Sequence, residues 1–506
     1  MGAMEKTGAV RRERDSLGEH AVPRRALYGI QTQRAVENYP ISGQRAAPAL
    51  IAAYGYVKWA MAAANRQLGR LPAAQARAIQ RAALEVAEHQ HDEQFVVDVF
   101  QAGAGVSFHM NVNEVVANRA AELLGGARGR YDRVHPNDHV NLGQSTNDTY
   151  PAAARIALRL EFDELLAAVE DCQRAFAAKG RAFRGIVKAG RTHLQDAVPI
   201  RLGREFTAYA AALGAGARGL RQAGDDLLEL GLGGSAAGTG LNVPPRAAAL
   251  ALQHLRQRTR HRWRQAPDLV AAMQSQLALA AASAAMRNLA LELIRIGNDL
   301  RLLSSGPRTG LQEIELPALQ PGSSIMPGKV NPVMPEMLAM VAFQVVGNDT
   351  ATALAAQAGQ LELNVMMPAM AHATLQSAAI LARALRAFTT KCVAGIRADR
   401  QRCEAYAHAT LALATGLNPY VGYARTAKLV QEALRSGRGL LELAREQRLL
   451  PEADLRRLLD PALAADGGQA TPRRSRTSPH FSPPPSRNAR EAAPARRVPF
   501  SARRRT

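Results

Sequence analysis

The chain has little cysteine: three in 506 residues, Cys172, Cys392 and Cys403, at no metal-ligand spacing. An odd count without a framework argues against a disulfide scaffold and fits a reduced, cytoplasmic protein. Aromatic residues make up only 5% of a chain rich in alanine. That balance favours helix packed on helix over extended sheet. The first twenty residues, MGAMEKTGAVRRERDSLGEH, are too charged for a secretory leader or a membrane anchor. No run of about eighteen uninterrupted apolar residues follows, so no membrane partner is expected. The glycine-rich stretch Gly231–Gly240 lacks the Lys-Ser/Thr ending of a phosphate loop, which argues against nucleotide binding there.

Acidic residues are the minority, giving a net charge of +21. The excess is uneven. From Thr471 to Thr506 ten arginines face Glu491 alone, so +9 lies there and +12 in the rest. Elsewhere arginines stand beside glutamates along helical patterns, with few aromatics for base stacking. A solvated helical surface is expected, with nucleic acid limited to weak contacts through the tail.

What the chain does have is helical periodicity. Residues 1–146 read as a mostly helical N-terminal domain of short segments broken by turns, with an amphipathic run over Leu84–Phe100. Residues 147–401 read as a central domain of long helices. There Leu269–Leu303 predicts one unbroken helix too apolar for a single chain to cover, and Val345–Ile396 a second helix or pair broken near Pro368. Residues 402–465 read as a small helical C-terminal domain. Residues 466–506, rich in Pro, Ser and Arg, carry no apolar face and are expected to be disordered and dispensable for chemistry.

The most informative segment is Gly322–Pro332, GSSIMPGKVNP. Its glycines and prolines forbid a continuous helix. Ser323, Ser324, Lys329 and Asn331 place two hydroxyls, a cation and an amide on one loop, the groups that a small anion attracts. Five further stretches carry comparable polar chemistry. They are Tyr28–Thr32 with Arg34–Asn38, Ala102–Ala120 (AGAGVSFHMNVNEVVANRA), His135–Asp148 (HPNDHVNLGQSTND), Gly190–Pro199 (GRTHLQDAVP) and Gly238–Asn242.

Together, in this order, these segments resemble the aspartase/fumarase superfamily from about Asp15 to about Leu463. The resemblance implies a mainly α, three-domain fold whose long helices assemble into a tetrameric core, with active sites shared between subunits. It implies a lyase that acts on a small dicarboxylate without a cofactor or metal. A proton leaves the carbon beside one carboxylate, and the resulting aci-carboxylate dianion needs fixed donors. By resemblance those donors are Ser145, Thr146 and Ser324, while Thr192, Lys329 and Asn331 hold the other carboxylate. Ser323 would be the general base on a mobile loop, its alkoxide steadied by backbone N–H groups. Asn147 would meet the leaving amino group, and His193, paired with Glu336, would orient the substrate. His135, Asn137 and Asp138 resemble a second, peripheral dicarboxylate segment of fumarases; a turn capping the next helix is the other reading.

Within the superfamily, Thr146, Val333–Glu336 and Ala358–Met366 look like aspartate ammonia-lyase. Gln33 and Leu232-Gly233-Gly234 lean towards class II fumarase, the alternative. A non-catalytic homologue that binds polyanions through its tail is the remote one. Val106, His109 and Met367 depart from the family, standing where threonine, asparagine and glutamate are usual.

Overall fold

The structure, a computed structural model, describes residues 9–467. A short antiparallel hairpin, β1 (Val10–Asp15) and β2 (Gly18–Pro23), precedes four helices: α1 (Ile30–Asn38), α2 (Pro48–Gln67), α3 (Ala73–Ala87) and α4 (Val106–Leu123). The long helices follow. They are α5 (Thr146–Ala182), α6 (Leu202–Asp226), the shorter α7 (Ala247–Thr259) and α8 (Leu269–Gln274), then α9 (Leu277–Leu303), α10 (Val333–Gln357) and α11 (Met367–Lys391). Between α5 and α6 lies a second hairpin, β3 (Val187–Thr192) with β4 (Gln195–Arg201). The mainly α expectation holds.

The bundle forms because α5 packs on α6 and α11, and α9 packs on α6 and α10. One continuous apolar cluster runs from Leu27 to Cys403, joining the N-terminal helices to the long ones. A separate cluster, Leu413–Leu459, holds the short helices near the end together. All three cysteines are buried, and burial pushes each thiol up to about 12.

Two helix expectations need correction. The run Leu269–Leu303 is interrupted at Ser275, which is extended (φ −110°, ψ 127°). The Ser275 hydroxyl accepts from Leu277 N and the Gln276 amide donates to Ala272 O, so local polar side chains compete with the helix ladder. The run Leu84–Phe100 is α-helical only to Ala87, with one further 3₁₀ turn at Asp92–Gln94, because His89 turns into the left-handed region (φ 61°). The expected pair over Val345–Ile396 is present, broken at 358–366, with Pro368 in the first turn of α11, where its missing N–H costs nothing.

α10 is apolar on every side, yet Met340 (63% exposed) and Phe343 (58%) face outward. By length and composition alone α9 and α10 are long and apolar enough to cross a membrane. Both are interrupted by charge, Arg287, Glu292, Arg295, Asp299 and Arg301 in one, Glu336 and Asp349 in the other.

The tail expectation lies outside the described residues except at its start. Asp466 pairs through both carboxylate oxygens with Arg201 at the end of β4, so the folded part extends at least that far.

The buried Glu85 clasps α3 to α4. It accepts from Arg119 at 2.6 and 3.2 Å, from Arg81 at 3.3 Å, and lies 3.1 Å from His91 Nε2. Burial works against its charge, but Arg119, His91 and Arg81 together hold it down to about 2. Its stabilisation is complete above the unfolded carboxyl's pKa of about 4.5 and is lost as pH falls towards 2. Glu85→Gln should cost about 2–3 kcal/mol at neutral pH. Urea melts of the two proteins should converge in strong acid; a gap that persists there would remove Glu85's charge as the cause.

Candidate active site

The serine loop closes on itself. Gly322 N donates to Lys329 O at 2.8 Å, and the Asn331 amide donates to Gly322 O at 2.6 Å. A Cβ on Gly322 would lie 2.3 Å from Lys329 O, so only glycine permits this closure. Gly328 takes a positive φ (80°) at the opposite turn. Inside the loop, Ile325 N and Met326 N donate to Ser323 Oγ at 3.2 and 3.0 Å. Two backbone donors on one hydroxyl oxygen stabilise negative charge there, which a serine base requires. Lys329 Nζ donates to Asn331 Oδ1 at 2.6 Å, placing cation and amide side by side. Ser324 and Lys329 are exposed. Glu336 lies in the first turn of α10, directly after the loop.

His193 sits at the tip of the β3–β4 hairpin. Thr192 pairs with Gln195, leaving His193 and Leu194 as a two-residue turn with φ of 56° and 60°. Such turns normally take Asn-Gly, so this pair is backbone-strained, as residues at functional sites often are. The hairpin's base is rigid. Buried Lys188 pairs with Glu205 at 2.8 Å and with Glu313 at 2.7 Å, while Arg191 meets Glu313 at 2.6 Å. Glu313 stands nine residues ahead of Gly322 in sequence and anchors the hairpin through Lys188 and Arg191. Thr192 and His193 are exposed, as is Leu194 at 71%.

The third segment opens α5. Ser145 is its N-cap: Ser145 Oγ accepts from Asn147 N at 3.2 Å, and Asp148 Oδ1 accepts from Ser145 N at 2.9 Å. Asp148 Oδ2 also accepts from Gly233 N and Ser235 N at 3.0 and 3.2 Å. The glycine-rich stretch therefore gives its N–H groups to a carboxylate of its own chain. The Asn147 amide donates to Ala236 O at 2.7 Å, which leaves Oδ1 to accept from a ligand. Thr146 Oγ1 lies 2.6 Å from His109 Nδ1. The N-terminus of a 37-residue helix adds partial positive charge where these groups meet.

Within one chain no hydrogen bond joins the serine loop, the His193 hairpin and the Ser145–Asn147 helix start to one another, nor His193 to Glu336, among the described residues. His135, Asn137 and Asp138 share a single π-helical turn, Pro136–Val140, which His135 caps: its Nδ1 accepts from Asn137 N and Asp138 N at 3.2 and 3.1 Å. Of the three departures, Met367 is fully buried in the core and Val106 is partly exposed at the start of α4.

Similarity to known proteins follows the same outline. The family model described as "Lyase" matches residues 18–347, and that described as "Fumarase C C-terminus" matches 413–463. The chain belongs to the aspartase/fumarase superfamily. Among its superfamily relatives, the aspartate ammonia-lyase of Pseudomonas aeruginosa is 48% identical over 461 residues, covering 90% of this chain and 97% of that one. The class II fumarate hydratase of Myxococcus xanthus is 45% identical over 439 residues, covering 87% and 94%. A crystal structure of fumarate lyase:delta crystallin from Brucella melitensis bound to cobalt superposes with a TM-score of 0.88. It is 47% identical, covering 90% of this chain and all of that one.

Sequence reasoning missed two buried charges behind this superfamily site, Asp148 and Lys58. Asp148 had a signal: Ser followed three residues later by an acid, ahead of an apolar run, marks a capping box. Lys58 had one too, as the only charge in the apolar run AAYGYVKWAMAAA.

Proposed function

We propose that this protein is a cytoplasmic carbon–nitrogen lyase that converts L-aspartate reversibly to fumarate and ammonia. Ser323 carries the reading: it receives two backbone N–H groups beside a lysine–asparagine pair on a glycine-closed loop. Its alkoxide takes a proton from the carbon next to one carboxylate. The electron pair moves into that carboxylate, which Ser145, Thr146 and Ser324 hold as a dianion. The C–N bond then breaks, the pair returns to form the double bond, and ammonia leaves past Asn147. Thr192, Lys329 and Asn331 fix the other carboxylate.

Aspartate is favoured because Asn147 keeps a carbonyl oxygen for an ammonium group and because aspartate ammonia-lyases are 43–48% identical to this chain. A hydratase acting on malate is the second reading, supported by the fumarate hydratase at 45%. A homotetramer completes the site, other copies covering the apolar faces of α9 and α10 and the exposed Leu194 and Ile325. No membrane is involved, and the basic tail makes at most weak, salt-sensitive contacts with polyanions. His135, Asn137 and Asp138 would form a peripheral dicarboxylate site.

Fumarate absorbance should rise when the purified protein is given L-aspartate. Fumarate from L-malate alone would replace this reading with the hydratase.

A further inference from the structure

A lysine in the middle of an apolar helix needs an explanation. Lys58 of α2 is fully buried, and its Nζ lies 2.9 Å from His109 Nε2, 3.1 Å from Asn141 Oδ1 and 3.0 Å from Gln144 Oε1. An ammonium has three N–H donors and nothing to accept with. Here it meets three acceptors. The second group aimed at His109 Nε2, the Asn113 amide at 3.2 Å, is also a donor. With Lys58 protonated and the Asn113 amide donating, Nε2 presents its lone pair, which puts the ring proton on Nδ1. That nitrogen is 2.6 Å from Thr146 Oγ1, so it donates to the hydroxyl oxygen. The hydroxyl's own proton then has no acceptor among the described residues and is free for a ligand at the start of α5.

We infer that Lys58 and His109 form a positioning relay that fixes Thr146 as a hydrogen-bond donor to the carboxylate that becomes dianionic. Each link sets the next: the amine fixes the imidazole tautomer, the tautomer fixes the hydroxyl, and the hydroxyl faces the substrate. Without the relay Thr146 could donate backwards into Nδ1 and offer the dianion only lone pairs. Burial lowers both groups: Lys58 falls to about 7, against the pull of the Asp148 carboxylate, and His109 falls well below the usual histidine range, with Lys58 adding to the effect, so the proton they share rests on the amine rather than the ring. A histidine in place of the family's usual asparagine thus keeps the polarity of an amide, acceptor at one end and donor at the other, with a longer reach. The role of Thr146 rests on the function proposed above; the tautomer does not.

Four variants test the relay, each first checked for tetramer assembly and thermal melting: His109→Gln, His109→Leu, Lys58→Met and the double Lys58→Met/His109→Leu. The double leaves no buried cation unpaired. Kinetics are read on whichever of L-aspartate or L-malate the wild type turns over, so a wrong substrate assignment shows in the wild type alone. Glutamine, with the same polarity as the ring, should keep kcat within about threefold, whereas His109→Leu and Lys58→Met should each lower it roughly ten- to a hundredfold with little change in KM. The double should be no worse than the poorer single, because the residues act as one unit. Independently, ¹⁵N shifts of the His109 ring, assigned by difference from His109→Gln, should show a protonated Nδ1 and a bare Nε2. Equal kcat for the glutamine and leucine variants, or a protonated Nε2, would overturn the relay.

Discussion

Ser323→Ala is expected to lower kcat roughly a thousandfold or more while KM for L-aspartate moves by less than about threefold. The asymmetry follows from what the hydroxyl does. Lys329, Asn331 and Thr192 hold the carboxylate that stays unchanged, and none of them depends on the Ser323 side chain for its own position. Asn331 is fixed by Gly322 O and Lys329 by Asn331, both through atoms alanine leaves in place. The loop should therefore keep its closure, and substrate should still bind. What disappears is the only group on the loop that two backbone N–H donors prepare to carry negative charge. A base matters only as the proton moves, so its loss appears in kcat. Steady-state kinetics with a fumarate readout check this. Turnover within tenfold of wild type would mean that another group takes the proton.

The sequence revealed the chemistry earlier than the architecture behind it. Gly322–Pro332 was legible because a loop that closes on itself needs glycine, and a site for a small anion needs hydroxyls, a lysine and an amide close together. The long helices were legible from periodicity, but their ends were not. Ser275 and His89 stop helices through local hydrogen bonding and a left-handed backbone, which apolar spacing does not report. Lys58 stood out only as a lone charge; its three partners come from two other parts of the chain, 51 to 86 residues away. The assignment of Met367 as a departure at the site loses its force, since that side chain fills the core. The peripheral segment shows the reverse problem. The cap made by His135 explains its position through hydrogen bonds within the chain, while Asn137 and Asp138 remain exposed for a ligand.

Within one chain the three functional segments share no hydrogen bond among the described residues. Each is locally well made: the serine loop closed by Gly322, the hairpin anchored on Glu313, the helix start capped by Ser145 and Asp148. The loop and the hairpin also end in exposed side chains, with Ile325 83% exposed beside the serine, while Ser145 and Asn147 are half-buried and Thr146 is buried. Such surfaces suit assembly, in which one copy supplies Ser323, a second His193 and a third the Ser145–Asn147 helix start.

Subunit complementation tests this most directly. Ser323→Ala and His193→Ala, each nearly inactive alone, are produced together under two tags, and tetramers carrying both are isolated. A site works when its His193 comes from the Ser323→Ala copy and its Ser323 from the His193→Ala copy, so random assembly should restore about a quarter of wild-type activity. Activity no higher than that of the separate variants, in tetramers shown to contain both chains, would contradict a site shared between subunits.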